Sequence, residues 1–451
     1  MAVRYHQMRT ISLLPPYPSS PHMLTRVEAL NFRCLRYISR SLDPFHVLVG
    51  PNASGKSTFF DVVGFVSRLL NDGLEAAIGE VTSNPMDMLF GRSGERFELA
   101  IEAALPDSIR DAIQRQTNLF KKTDTSLYTH IRYELAVTVH RNSLPEIAQE
   151  RVAFVKHNVR SNPQQLDRFP MAEEAPNDLC SQHVIKTIAS IDPILKQFTF
   201  YPEVWEDLKS GSAGGFVPGF QLSKRKSALA NVPEGENFFP ATTWLKEFLK
   251  EGARSLTLDS HKMKQPSPPH FSKGFQTDGS NLPWVVSRLE GTPVFKEWIR
   301  HIQTALPDIQ GVRTVIRDED RHCYLLLKYE NGMEVPQWML SDGTLRLLAL
   351  TLPCFIDDFG GMLLIEEPEN GIHPKAIETA YQALCTVTST QVLLATHSPI
   401  VLNIAEPHEV LCFAKDEFGA TRVVRGDEHP ALIDWQHDVS LGVLFAARVL
   451  E

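Results

Sequence analysis

Apolar positions along this chain fall into short strand-like runs separated by stretches with helical spacing. Residues 27–32 alternate apolar and polar, and His46-Val47-Leu48-Val49 forms a short apolar run that leads straight into a glycine-rich segment. Residues 57–70 follow, with Phe59, Val62, Val63, Phe65 and Val66 on one side of an expected helix. Residues 97–103, 128–140 and 149–156 predict three further strands and, together, an antiparallel section. The pattern resumes with strands at 312–316 and 323–329 and a turn at Gly332. A helix at 344–355, a buried strand at 361–365, a helix at 376–386 and a strand at 391–395 come next. A strand at 411–414 and a short helix at 442–449 complete the series. This alternation points to an α/β core rather than separate helical and strand domains.

Between 157 and 309 the periodicity is less simple. Residues 185–198 and 242–249 have helical spacing, whereas 209–219 and 266–280 carry loop signals. Pro266-Ser267-Pro268-Pro269 fits a structural loop better than a peptide-recognition motif. The expected organisation is a flexible extension over 1–22, a first part of the core over 23–156, an inserted mixed or helical region over 157–309, and a second part of the core over 310–451. Met23 is an alternative translation start, because the first compact pattern begins just after it. No repeat, heptad run or low-complexity tract changes this division.

The 451 residues are 43% apolar and 22% charged, ordinary values for a folded chain with room for two or three domains. The formal charge of −9 disfavours global, non-specific attraction to nucleic acid, though Lys224-Arg225-Lys226 and Lys262/Lys264 leave a local site open. The six cysteines form no C-x-x-C pair, which suits a reducing cytosol and small core residues better than metal binding. No run approaches 18 uninterrupted apolar residues, so no membrane span is expected.

The chemistry is concentrated in segments that lie far apart in sequence. Gly50-Pro51-Asn52-Ala53-Ser54-Gly55-Lys56-Ser57-Thr58 matches G-x-x-x-x-G-K-[ST] between an expected strand and helix, the setting in which backbone amides surround phosphate oxygens. Lys56 is placed to reach β- and γ-phosphate oxygens of ATP, and Ser57 supplies a hydroxyl for Mg2+. Leu363-Leu364-Ile365-Glu366-Glu367-Pro368 is an apolar strand ending in two carboxylates. Glu366 would hold magnesium directly or through water, and Glu367 would polarise or deprotonate the attacking water. After another apolar strand, Thr396-His397-Ser398-Pro399 places His397 where it could hydrogen-bond the γ-phosphate and sense its loss. No neighbouring His/Cys set makes His397 a zinc ligand.

Together these segments resemble an ABC-type, AAA-family ATPase of the RecF/SMC-like and overcoming-lysogenization-defect-like branch. Residues 50–58 resemble Walker A, Leu340-Ser341-Asp342-Gly343-Thr344 the ABC signature, 363–374 Walker B with its D-loop, and 395–399 the histidine switch. The resemblance covers roughly 27–103 and 312–412. It implies an ABC-type P-loop ATPase head with an antiparallel β subdomain and a mainly helical insertion. It also implies a head-to-head homodimer, or a higher oligomer, with two shared ATP sites. Ser341 and Gly343 of one subunit would meet the γ-phosphate held by Lys56 of the other. Two positions depart from the commoner pattern: Asp342 replaces a glycine in the signature, and Glu366 stands where aspartate is more usual. Asn84, Asp87, Phe90, Gly91 and Arg92 fall where a sensing loop could approach ATP, and Arg33 and Arg36 resemble the early basic segment of this branch. Surface arginines are an equal reading of that pair.

The residues after Pro399 leave little space for the nuclease domain fused to some members of this branch. The resemblance therefore implies a cytoplasmic sensor or regulator that controls a separate effector, a nuclease being one candidate, in bacterial defence against phage. A RecF-like DNA-binding or repair protein and a purely structural ATP-clamped protein are the alternatives.

Overall fold

The computed structural model describes residues 23–120, 128–141, 143–156, 169–171, 174–180, 184–191, 198–201, 203, 223–232, 238–269, 274–356, 361–387, 389–432 and 439–450. The fold is α/β, built from two large sheets and one small one. Strands β1 (Leu24–Phe32) and β2 (Leu35–Ser41) form a hairpin, and β3 (Phe45–Val49) then leaves it for the second sheet. β4 (Arg96–Ala104), β5 (His130–His140), β6 (Ser143–Val155), β7 (Val184–Ile191) and β8 (Phe198–Phe200) return to the first sheet. Its order is β2-β1-β4-β5-β6-β7-β8, with every pairing antiparallel. β9 (Ala253–Leu256) lies on the edge of the second sheet, whereas β10 (Ile309–Ile316), β11 (Cys323–Tyr329) and β12 (Glu334–Pro336) form the small antiparallel sheet. β13 (Gly361–Glu366), β14 (Thr390–Ala395), β15 (Val410–Lys415) and β16 (Thr421–Arg425) complete the second sheet in the order β16-β15-β3-β14-β13-β9. All its neighbours are parallel except the β15–β16 hairpin.

The central strands read as continuous apolar runs because both faces of this sheet are covered. Side-chain alternation sends Leu48, Leu364, Leu393 and Phe413 into one core, and Val47, Val49, Leu363, Val392 and Cys412 into another on the opposite face. Helix α1 (Lys56–Asp72) belongs to the first core and connects the two large sheets. Its Phe65 ring meets Phe32 of β1 and Phe97 of β4 at centroid distances of 5.9 and 5.5 Å, while Phe59 meets Phe413 of β15 at 5.7 Å.

The interval 157–309 contributes to both large sheets. Helical spacing predicts a helix over 185–198, but residues 184–191 form β7, paired with β6 through Arg151↔Ser190 and Val152↔Ala189. Val184, Ile185, Thr187, Ile188 and Ile191 are β-branched, and the open edge of β6 accepts them as a strand. Residues 192–197 lie outside the described residues, as does the expected loop at 209–219. The helix expected over 242–249 is present as α2 (Pro240–Glu247), continued by a wider turn over Phe248–Gly252. β9 pairs in parallel with β13 from Met362↔Ala253 to Ile365↔Leu256, so this part of the interval is structurally part of the central sheet. Helix α3 (Pro293–Ala305) buries Trp298, Ile299 and Ile302 in the second core.

Candidate nucleotide site

β3, β14 and β13 are adjacent and parallel, with Leu48 opposite Ala395 and Ala395 opposite Glu366. Their carboxyl ends therefore deliver residues 50–58, 396–399 and 366–373 to one rim, the position where open α/β sheets place ligands.

At the first loop, Gly50 has φ +149° and Gly55 has φ +107°. A Cβ on Gly50 would fall 2.2 Å from the Phe413 carbonyl oxygen, and one on Gly55 would fall 2.3 Å from Thr421 Oγ1. Both positions thus require glycine for conformation and for space. Thr421 of β16 donates its hydroxyl to the Ser54 carbonyl at 2.8 Å, and its amide to the Cys34 carbonyl at 3.0 Å. The buried Ser54 hydroxyl has no hydrogen-bond partner among the described residues. Lys56, also buried, donates its ammonium to the carbonyls of Gly50 at 2.8 Å and Pro51 at 3.1 Å. Asn52 and Ala53 are exposed at the tip, and Thr58 is buried at the start of α1.

Ser57 Oγ donates to Glu366 Oε2 at 2.9 Å across 309 residues of sequence. A hydroxyl beside a carboxylate at the end of a phosphate-type loop is a hard-oxygen donor set that fits magnesium accompanied by phosphate. Asp61, one turn further along α1, adds negative potential: burial first, then Glu366 and Glu80, push its carboxyl up, while Arg33 opposes them. Arg33 pairs directly with Asp61 and donates its amide to the Met88 carbonyl, so this arginine is anchored to α1 and to the segment carrying Asp87 and Arg92. Arg92 and Thr82 both bond Asp87, at 2.6 and 2.9 Å.

Glu367 is exposed and holds the left-handed conformation, φ 48°, uncommon for a non-glycine residue. Its amide donates to the Ala395 carbonyl at 2.8 Å, and its Oε2 accepts from Asn370 Nδ2 at 2.6 Å. The His397 amide donates to Glu369 Oε1 at 2.8 Å, as does Thr396 Oγ1. Glu369, Asp61 and Thr421 are the residues that sequence reasoning missed here. Asp61 had a usable signal, one helical turn beyond Ser57. Glu369 and Thr421 touch the site through sheet pairing that no local pattern reveals.

Ser341 caps helix α4 (Asp342–Thr351), accepting from the Thr344 amide at 3.1 Å. Asp342 pairs with Lys264 at 2.5 Å, a bond that holds its carboxyl below the usual range. A Cβ on Gly343 would lie 2.8 Å from the Gly371 carbonyl oxygen, so the start of α4 rests against residues 367–373. Four residues of the basic clusters are paired: Lys224 with Glu146, Arg225 with Glu75, Lys262 with Asp278 and Lys264 with Asp342. Among the described residues no helix is long and apolar enough to cross a membrane.

Residues 246–403 match the family described as AAA domain, putative AbiEii toxin, Type IV TA system. This stretch contains β9, α4, both carboxylates of 366–367 and His397, and supports the AAA-family part of the resemblance carried by the motifs. The 50–58 loop lies N-terminal to it. No curated relative matches the chain. Among solved structures, the chain is similar to an SMC head bound to the C-terminal winged-helix domain of ScpA, at 12% identity and TM-score 0.47, covering 89% of this chain and 97% of that one. The SMC head domain of Thermotoga maritima, at 12% identity and TM-score 0.39, covers 89% and 98%. A Pyrococcus furiosus SMC head with an extended coiled coil, at 11% identity and TM-score 0.43, covers 95% and 98%.

Proposed function

We propose that the chain binds ATP with Mg2+ and hydrolyses it to ADP and phosphate, working as a homodimeric sensor or regulator of a separate effector. The observation that carries the ATPase reading is the 2.9 Å bond between Ser57 and Glu366, made at the end of a glycine-constrained loop beside Lys56. Lys56, now resting on the Gly50 and Pro51 carbonyls, would turn to the phosphate oxygens when nucleotide enters. Ser57 and Glu366 would hold magnesium, which would shield the phosphate charge. Glu367 would take the proton of a water attacking the γ-phosphorus, as the bond from that phosphorus to the ADP oxygen breaks. His397 would hydrogen-bond the γ-phosphate, and Ser341 with Gly343 would reach the partner subunit's nucleotide.

The exposed, capped start of α4 supports this dimeric reading, because Ser341 sits at a helix N-terminus suited to an anion. The matched family's description names a toxin of a toxin–antitoxin system, a two-component setting that suits control of a second protein in anti-phage defence. The overcoming-lysogenization-defect-like branch and a cytoplasmic location belong to the same proposal. DNA binding is the weaker reading, since Lys224, Arg225, Lys262 and Lys264 of the basic clusters that suggest it are engaged with carboxylates. Native mass measurement with and without ATP, identifying associated proteins and nucleic acid, tests the whole. An ATP-dependent dimer carrying a second protein is expected; a nucleotide-insensitive monomer would sink it.

A further inference from the structure

The loop after Glu367 crosses the rim from β13 towards β14, and one of its side chains makes that crossing. Glu369 Oε1 accepts from Thr396 Oγ1 and from the His397 amide, both at 2.8 Å. Thr396 is fully buried; its amide donates to the Leu48 carbonyl at 3.1 Å, and its Oγ1 accepts from the Ser398 amide at 2.9 Å. A single carboxylate oxygen therefore fixes the backbone on both sides of the Thr396–His397 peptide. It does so from a loop that also bears Glu367 and, at Gly371, touches the start of α4. The second oxygen, Oε2, is buried with no hydrogen-bond partner among the described residues. Leaving a carboxylate oxygen buried and unsatisfied is costly, so a residue present merely to stitch a loop would be served better by a neutral acceptor. A carboxylate makes shorter and stronger bonds to N–H and O–H donors, which is an advantage where a backbone must be held rigidly.

We propose that Glu369 is a positioning residue: it sets the direction in which His397 presents its side chain to the γ-phosphate and couples that direction to the loop bearing Glu367. This rests on the ATPase reading above and adds a residue to it. Glu369 touches no nucleotide in this scheme; it acts through His397, which predicts non-additivity.

The test is a double-mutant cycle on the full chain, comparing Glu369→Ala, His397→Ala and the pair for steady-state ATP turnover, with affinity for a fluorescent ADP analogue measured in parallel. Glu369→Ala is expected to lower kcat about 10- to 100-fold, to change nucleotide affinity less than about threefold, and to add almost nothing to His397→Ala. Glu369→Gln, which keeps an acceptor at Oε1 without the charge, is expected to fall between parent and Glu369→Ala, and it carries the test if the alanine variant does not fold. Multiplicative losses in the double variant, or an affinity loss as large as the turnover loss, would overturn the proposal while leaving the ATPase reading intact. A parent chain without turnover would overturn the ATPase reading itself, and the role of Glu369 with it.

Discussion

The two large sheets use the same residue type, glutamate, in opposite ways. At the rim of the parallel sheet, Glu366 and Glu367 are exposed, and their nearest partners are a serine and an asparagine. In the antiparallel sheet several carboxylates are buried or nearly so, and are paired or hydrogen-bonded. Glu28 of β1, Glu102 of β4 and Glu134 of β5 surround Arg132; burial works against its charge, but those carboxylates outweigh it and raise its pKa. Glu150 of β6 accepts from the amides of Ala228 and Leu229 and from the Ser227 and Tyr133 hydroxyls. Glu203 caps α2 through the Ala241 and Thr242 amides, and burial pushes its carboxyl up to about 7. Carboxylates with satisfied oxygens build the scaffold, whereas those with spare, solvent-facing oxygens are available for metal and water.

This contrast breaks most visibly at the rim. Glu367→Gln is expected to reduce ATP turnover by at least about 100-fold while retaining nucleotide binding and trapping a closed dimer, whereas Lys56→Ala chiefly weakens binding. Turnover by the glutamine variant near the parent rate, in a phosphate-release assay, would remove Glu367 from its role. In the antiparallel sheet the expected loss is in stability: Arg132→Met leaves buried carboxylates unpaired and should cost about 3–5 kcal/mol in denaturant unfolding. An unchanged unfolding midpoint would show that the buried network is not structural.

A third prediction concerns a buried group kept neutral instead of paired. His429 is almost fully buried, and burial lowers its pKa to about 4. Because the folded value lies below the unfolded value of about 6.5, its contribution is fully present above pH 6.5 and is lost as pH falls towards 4. The loss should be on the order of 2–3 kcal/mol, and His429→Gln should flatten that limb of the stability–pH curve. Glu203 acts in the opposite sense, contributing most below about pH 4.5 and losing that contribution as pH rises through about 7. Comparing His429→Gln with Glu203→Gln, rather than raw curves, separates them. The smallest effect belongs to the join between strand and loop. Thr421→Val removes the hydroxyl that holds the Ser54 carbonyl, costing about 1 kcal/mol and weakening nucleotide affinity several-fold in a fluorescence titration.

Much of the central sheet was legible in the sequence because β3, β13 and β14 are mostly apolar and lead into distinctive polar groups. β7 was misread because Ile185, Ile188 and Ile191 recur every three residues, a spacing a helix also shows; pairing with β6 decides the matter. β9 was invisible for a different reason: Arg254 and Ser255 make an edge strand look like a loop. At the site, Lys56, Ser57, Glu366, Glu367 and His397 could be nominated from local motifs. The part played by Glu369 could not, because its partners come from the next strand and are brought near only by β13–β14 pairing.

The brace from Thr421 to the Ser54 carbonyl spans 367 residues, as does the bond between the Leu24 amide and the Gln391 side chain. On the ribosome, the glycine-rich loop thus emerges long before the strands that shape it. A nascent chain must wait for β14, β15 and β16 before that loop is braced, and such distant pairings make for slow folding. The rim proposed to hold nucleotide is therefore complete only once β16 has emerged, so chains truncated upstream of β14 would lack it.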